Sequence, residues 1–200
     1  MKSIILVLSF SMFALNYSHA ETKDLSNITK EDQENSNLRI QATKQVFIGF
    51  GPGFSSGLNG EGGGFDITAG YHYSLDNNSA IVLSGEFYKG KSGDDSSLLN
   101  VSLGGVYHFT NQKHSPFVGL GFGYGTAEAN DNDKIDLSDA NGWSGQITAG
   151  YKMFRLTNVN LAVMARYTTI FDKVDEVDVA TGEKSDKIPG LLSLNLAIYY

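Results

Sequence analysis

From Val46 to Tyr200, apolar residues alternate with small or polar ones at a period of two, the spacing of strands with one apolar face. Val46, Ile48 and Phe50 alternate with Phe47, Gly49, Gly51 and Gly53. Phe65, Ile67, Ala69, Tyr71 and Tyr73 alternate with Gly64, Asp66, Thr68, Gly70 and His72. A third strand sets Ile81, Leu83 and Phe87 against Val82, Ser84, Glu86 and Tyr88, and a fourth sets Leu99, Val101, Leu103, Tyr107 and Phe109 against Asn100, Ser102, Gly104 and His108. The fifth opposes Val118, Leu120, Phe122 and Tyr124 to a row of glycines from Gly119 to Gly125 that begins at Phe117. The sixth opposes Trp143, Ile147, Ala149, Tyr151 and Met153 to Ser144, Gln146, Thr148, Gly150 and Lys152. The seventh opposes Val159, Leu161, Val163, Ala165, Tyr167 and Phe171 to Asn160, Ala162, Met164, Arg166 and Thr168. In the eighth, Leu192, Leu194, Leu196, Ile198 and Tyr200 share a face, and Ser193, Asn195, Ala197 and Tyr199 share the other. An apolar strand of this kind needs partners; those predicted are the first strand, Val46–Phe54, and the seventh, Val159–Phe171.

The connections alternate too. Short turns are expected at Leu75–Asn78, Thr110–Ser115 and Arg155–Asn158, and long links at Ser55–Gly62, Gly90–Ser97, Ala129–Asn141 and Asp172–Ile188. With strands of about nine to twelve residues, this is the pattern of an eight-stranded antiparallel transmembrane β-barrel, its termini and short turns on one side and its long loops on the other.

A soluble lipocalin-like barrel would turn the apolar face inward and leave the other face in water. That other face is mostly Gly, Ser, Thr and Asn, whereas a solvated exterior carries far more charge. Charges gather in the long links instead. The apolar face also ends in aromatics: Tyr71, Tyr73, Tyr107, Phe109, Tyr151 and Tyr200 toward the short turns, and Phe87, Tyr124, Trp143, Tyr167 and Phe171 toward the loops. These are the two interfacial belts of a membrane barrel.

The N-terminus is read as a leader. Lys2 precedes a mostly apolar run from Ile4 to Leu15, and Ser18-His19-Ala20 fits a cleavage site, so residues 1–20 are expected to be a signal peptide cut between Ala20 and Glu21. The polar stretch 21–45, with few large apolar residues, is expected to be a flexible periplasmic arm before the barrel at 46–200.

Composition narrows the chemistry. The chain has no cysteine, which excludes disulfides, thiolate metal sites and a cysteine nucleophile. With 15 basic and 22 acidic residues, it is not expected to bind nucleic acid. No mature segment approaches the roughly 18 apolar residues of a membrane helix.

The segments Pro116-Phe117-Val118-Gly119-Leu120-Gly121-Phe122-Gly123-Tyr124-Gly125 and Gly142-Trp143-Ser144-Gly145-Gln146-Ile147-Thr148-Ala149-Gly150-Tyr151 resemble the glycine-aromatic strands of small Gram-negative outer-membrane proteins. Residues 46–200 as a whole resemble the eight-stranded OmpA-like, opacity-protein and OmpX-type barrel group. The resemblance implies a place in the Gram-negative outer membrane, among its lipid and lipopolysaccharide. It also implies that the barrel assembly machinery reads the C-terminal signal of Leu196, Ile198 and Tyr200, with Tyr200 where Phe is commoner.

The inward face carries a polar cluster: Asp66, Glu86 and Arg166 at similar height in the loop-side half, and His72, His108 and Lys152 lower. Buried charges need partners, so Arg166 is expected to bridge to Glu86 or Asp66. The cluster reads as a polar plug, with a gate or narrow ion path as the alternative. The glycine row in the fifth strand is expected to leave lumen space for large neighbours such as Phe117 or Arg166; it lacks the spacing of a dinucleotide fingerprint. Asp131, Asp133, Asp136 and Asp139 form a solvated acidic loop without the glycine and final Glu of a calcium loop. No catalytic residues, cofactor or metal are expected: His72 and His108 face inward, His114 lies in a short turn, and none is grouped with a loop serine. The expected role is a non-enzymatic surface protein of structural, adhesin or antigen type, its loops facing a host surface ligand. A small porin is the alternative.

Overall fold

The computed structural model describes residues 44–58, 63–91, 96–128, 135–137, 139–155, 159–178 and 181–200. The expected leader, its Ala20–Glu21 junction, the arm through residue 43, and Asp131 and Asp133 lie outside these residues.

Eight long strands close into an antiparallel barrel: β1 (Lys44–Ser56), β2 (Gly63–Ser74), β3 (Ser79–Gly90), β4 (Ser97–His108), β5 (Ser115–Glu128), β7 (Ala140–Met153), β8 (Asn160–Ile170) and β11 (Gly190–Tyr199). Three short strands, β6 (Ile135–Leu137), β9 (Val174–Asp178) and β10 (Lys184–Lys187), form a separate sheet on the loop side. β11 pairs with both β1 and β8, as the C-terminal alternation requires. Paired N–H and C=O bonds between Val46 and Tyr200, at 2.8 and 2.9 Å, close the seam at the short-turn end.

The register is sheared. Following paired residues from Gln45 through His72, Val82, Gly104, Gly121, Gln146, Thr168 and Leu191 returns to β1 at Ser55, ten residues further along. A ring of side chains at one height is therefore drawn from different rows of the strands, which tilt across the barrel wall.

The apolar face points outward. Leu120 is 68% exposed, Ile147 57% and Leu194 49%, and Trp143, Tyr167 and Phe171 ring the loop side while Tyr73, Tyr107, Tyr151 and Tyr200 ring the other. Between the belts no outward-facing described residue is charged; Lys44 and Lys89 lie at strand ends. Apolar surface this extensive excludes water as its solvent, so the wall spans a membrane.

Two boundaries differ from the sequence reading. β1 begins at Lys44, so Gln45 belongs to the wall and not to the arm; its polar side chain is buried in the lumen, where polarity is no sign of solvent. The links 129–141 and 172–188 are not plain solvated loops: β6 pairs with β9, and β9 with β10, joining the third and fourth long connections. β9 is anchored by Val174, fully buried against Ile170 and Leu191 at the barrel rim.

Candidate functional site

The lumen is filled in four layers, polar and apolar in turn. At the short-turn mouth, Lys152 Nζ donates to Gln45 Oε1 at 2.8 Å, Gln45 Nε2 to Asn160 Oδ1 at 2.8 Å, and Asn160 Nδ2 to the Phe154 carbonyl at 2.9 Å. The ammonium also lies 3.8 Å from the centre of the Tyr199 ring, a cation–π contact. His72 and His108 lie beside this chain with their ring centres 6.0 Å apart. Phe154 takes φ 60, a left-handed conformation uncommon for a bulky residue, and the tight turn it makes swings Arg155 back under the barrel. Arg155 Nη1 and Nη2 donate to the carbonyls of Thr110 and Asn77 at 2.6 and 2.8 Å, stapling three short turns together.

Above the mouth sits an apolar layer of Phe47, Phe117, Ala162, Met164, Ala197 and Tyr199, with Val82 and Val106 packed against it. Phe47 stacks on Tyr199 at 4.9 Å. Two glycines make room for the rings: a Cβ at Gly70 would come within 2.7 Å of Phe47, and one at Gly150 within 2.7 Å of Phe117.

The third layer is a polar network. Glu86 Oε2 accepts from Thr168 Oγ1 at 2.5 Å and Gln146 Nε2 at 3.4 Å, and its Oε1 accepts from Ser193 Oγ at 3.5 Å. Arg166 Nη1 donates to Thr68 Oγ1 and lies 3.7 Å from Glu86 Oε1. Asp66 Oδ2 accepts from Asn195 Nδ2 at 2.7 Å. Ser84, Ser102, Asn100 and Ser144 extend the network round the wall through bonds of 2.6–3.2 Å. A cavity of about 30 Å³ lies between this network and the apolar layer below it, lined by Phe47, Met164, Ser84, Gln146 and Arg166; it has room for about one water.

A second apolar layer covers the network on the loop side: Leu58, Tyr88, Leu98, Ala127, Ala140, Ile170, Val174 and Leu191, all fully buried. Eight strands leave an interior that side chains fill.

All six members of the predicted lumen cluster point inward, at 4% exposure or less. They form two groups at the two heights read from the sequence: Asp66, Glu86 and Arg166 share the network, while His72, His108 and Lys152 lie at the mouth, on the other side of the Phe47 layer. As expected, Arg166 forms an ion pair with Glu86, at 3.7 Å; it also donates to Thr68, and Asp66 is held by Asn195. Gly119 and Gly121 line the same cavity as Phe117 and Arg166, with Val106 nearest Gly119 and with Gln146 and Ser102 nearest Gly121. Neighbouring strands are offset by the shear, so the ring beside a glycine comes from across the ladder rather than along it. Leu196, Ile198 and Tyr200 project to the exterior at the β1–β11 seam.

Gln45, Arg155 and Asn160 complete the mouth and were not singled out by sequence. Asn160 does fall on the inward face of the alternation, but Gln45 and Arg155 lie outside the periodic segments and carry no such signal.

No protein-family model matches the chain, and no curated protein matches it by sequence. Among solved structures it is similar to the crystal structure of Neisserial surface protein A, at TM-score 0.60 and 17% identity, over 79% of this chain and 96% of that one. It is also similar to the N-terminal β-barrel domain of Pseudomonas aeruginosa OprF, at TM-score 0.50 and 14% identity, over 79% and 98%. The likeness is one of fold: the chain has the architecture of the small eight-stranded barrels of the Gram-negative outer membrane.

Proposed function

We propose that this protein is a non-enzymatic surface protein of the outer membrane, in which a sealed barrel holds a structured loop surface outside the cell. The observation that carries this reading is the pair of apolar layers, one around Phe47 and Phe117 and one around Tyr88 and Leu98, that enclose the polar network from both ends. An ion crossing the lumen would have to leave water twice, with no carboxylate among the described residues of either layer to replace its hydration. The polar network then serves as a plug that fixes the strands against one another. The loop sheet supports the second half of the reading: rooted by Val174 and tied by a Lys173–Asp186 contact of 2.8 Å, it offers an ordered surface for a ligand.

Against catalysis stands the position of the histidines. His72 and His108 are enclosed by the wall, away from any lipid or peptide approaching the exterior, and no serine donates to either ring. For assembly, the outward projection of Leu196, Ile198 and Tyr200 leaves the last strand readable by the barrel assembly machinery until β1 closes on it.

The test is single-channel recording of the folded, full-length mature protein in planar bilayers. A sealed lumen gives no steady ohmic steps. Steady steps that vanish when Glu86 and Arg166 are both neutralised would replace this reading with the small-porin one. Binding to host cells after replacing residues 174–187 with a short glycine-serine link tests the loops; unchanged binding would remove adhesion from the proposal.

A further inference from the structure

Lys113 and His114 stand on the turn between β4 and β5, at the level of the short-turn aromatic belt. In barrels of this class the short turns face the periplasm. The backbone of this turn is tied down on several sides. Thr110 Oγ1 donates to the His114 carbonyl at 3.0 Å, and the Thr110 N–H donates to Ser115 Oγ at 3.2 Å. From the turn after β7, the Arg155 N–H donates to the Lys113 carbonyl at 2.9 Å, and Arg155 Nη1 to the Thr110 carbonyl at 2.6 Å. Adjacent cationic and imidazole side chains are thus carried on a rigid mount.

Aromatic rings orient both side chains. His114 stacks on Tyr151 of β7, with ring centres 6.4 Å apart and planes 11° from parallel, and it meets Phe154 edge-on at 5.5 Å. The Lys113 ammonium lies 5.2 Å from the centre of the Phe154 ring, a cation–π distance. Phe154 reaches this place through its φ of 60, and a bulky residue keeps that conformation only where its surroundings over-determine it. Asn160 Nδ2 holds its carbonyl at 2.9 Å, and the Arg155 N–H fixes the next peptide. Tyr151 and Phe154 remain open to the bilayer, at 46% and 37% exposure. The strained turn therefore sets a charged step beside two lipid-facing rings.

We propose that Lys113 and His114 bind the phosphate of one anionic phospholipid of the periplasmic leaflet, with its acyl chains lying against Tyr151 and Phe154. Lys113 brings three N–H donors, and His114 brings a ring N–H in either tautomer. Placed at a membrane interface, such a pair meets the phosphate level of the headgroups, and the belt rings below it meet the chains. A headgroup with its own ammonium would set a second cation beside Lys113, so a phosphodiester that lacks one is selected. Free phosphate would gain the charge contact but leave both rings uncovered. Asp76, the one carboxylate side chain among the described residues of the short turns, is engaged by its own turn: its Oδ1 accepts from the Asn78 and Ser79 amides, each at 2.7 Å.

The test is native mass spectrometry of the folded, full-length mature protein, released from micelles holding equal amounts of phosphatidylglycerol and phosphatidylcholine. One saturable phosphatidylglycerol per protein, retained in preference to phosphatidylcholine, is the expected result. Lys113→Gln should weaken that preference about fivefold, the scale of one lysine at an anionic lipid surface. Lys44→Gln should leave it unchanged, since it removes an exposed lysine on β1, across the barrel from β5. Glycerol phosphate at the same concentration should not displace the lipid. No preference in the wild-type protein would overturn the proposal, whatever the variants do. An equal loss in Lys44→Gln would overturn the site, and displacement by glycerol phosphate would overturn its assignment to a lipid. A preference that appears only after residues 21–43 are removed would give the two side chains to that arm, and would overturn the proposal as well.

Discussion

Arg166 offers the sharpest test of how the barrel is held. Replacing it with Met keeps an unbranched apolar stem and removes the guanidinium with its charge and donors. Two carboxylates are then left without their cation. Glu86 keeps donors in Thr168, Gln146 and Ser193, and Asp66 keeps Asn195. Breaking a buried pair by removing one partner costs about 3–5 kcal/mol; because the retained donors each offset part of the exposed charge, the lower end, about 3 kcal/mol, is the expected loss. Adding Glu86→Gln should recover part of it, with a coupling of about 1–3 kcal/mol between the two sites. The measurement is reversible urea unfolding from lipid vesicles, read by the fluorescence of Trp143, the only tryptophan, which lies in the outer belt at 60% exposure. A loss below about 1 kcal/mol for Arg166→Met, or single and double changes additive within about 0.5 kcal/mol, would refute a charge-coupled plug.

Other outcomes follow from the packing. Gly70→Ala would bring a Cβ within 2.2 Å of the Leu83 carbonyl, and so should destabilise the barrel by at least about 1–3 kcal/mol in the same unfolding assay. Gly105→Ala, whose Cβ meets only the Ala80 carbonyl at 3.9 Å, should leave the same midpoint unchanged. Tyr200→Asp should lower the yield of heat-modifiable, membrane-inserted protein on gels; an unaffected yield would remove the assembly role of the last strand. The Asn78 and Ser79 amides hold the Asp76 carboxyl below its ordinary 3.8, so its support of the turn is present above that value and lost as pH falls through the lowered one. Hydrogen-exchange protection of those two amides should thus persist at about pH 5; protection already lost there would contradict the assigned bonds.

The barrel was legible in the chain because membrane solvation inverts a simple rule that period-two spacing records: one face apolar, the other not. Which residues of the inner face touch one another was not. Asp66, Glu86 and Arg166 could be placed at one level, yet their separation from His72, His108 and Lys152 depends on a layer built from Phe47, Phe117, Met164 and Tyr199, one residue from each of four strands. That layer exists only in the sheared register, and no single strand displays it. The apolar members of the inner face are also the exceptions to its polar pattern, so a reading weighted toward polarity passes over them. Gln45 was lost for the opposite reason: a polar residue beside a polar arm marks no boundary. The pairing of β6 with β9 joins segments some forty residues apart in sequence, and neither carries an alternation long enough to announce a strand.

With the loop face outside the cell, as proposed, the loop sheet would have an immunological consequence. β6 comes from one connection, β9 and β10 from another, and their strands are hydrogen-bonded neighbours. Any antibody footprint across them is a discontinuous epitope, so a synthetic peptide copying either connection alone lacks the β6–β9 pairing. A vaccine graft would have to transplant both connections together with Val174 and the rim it packs into. Sequence drift in one connection would likewise be constrained by the strand it faces in the other, so serological variants should change the two in concert.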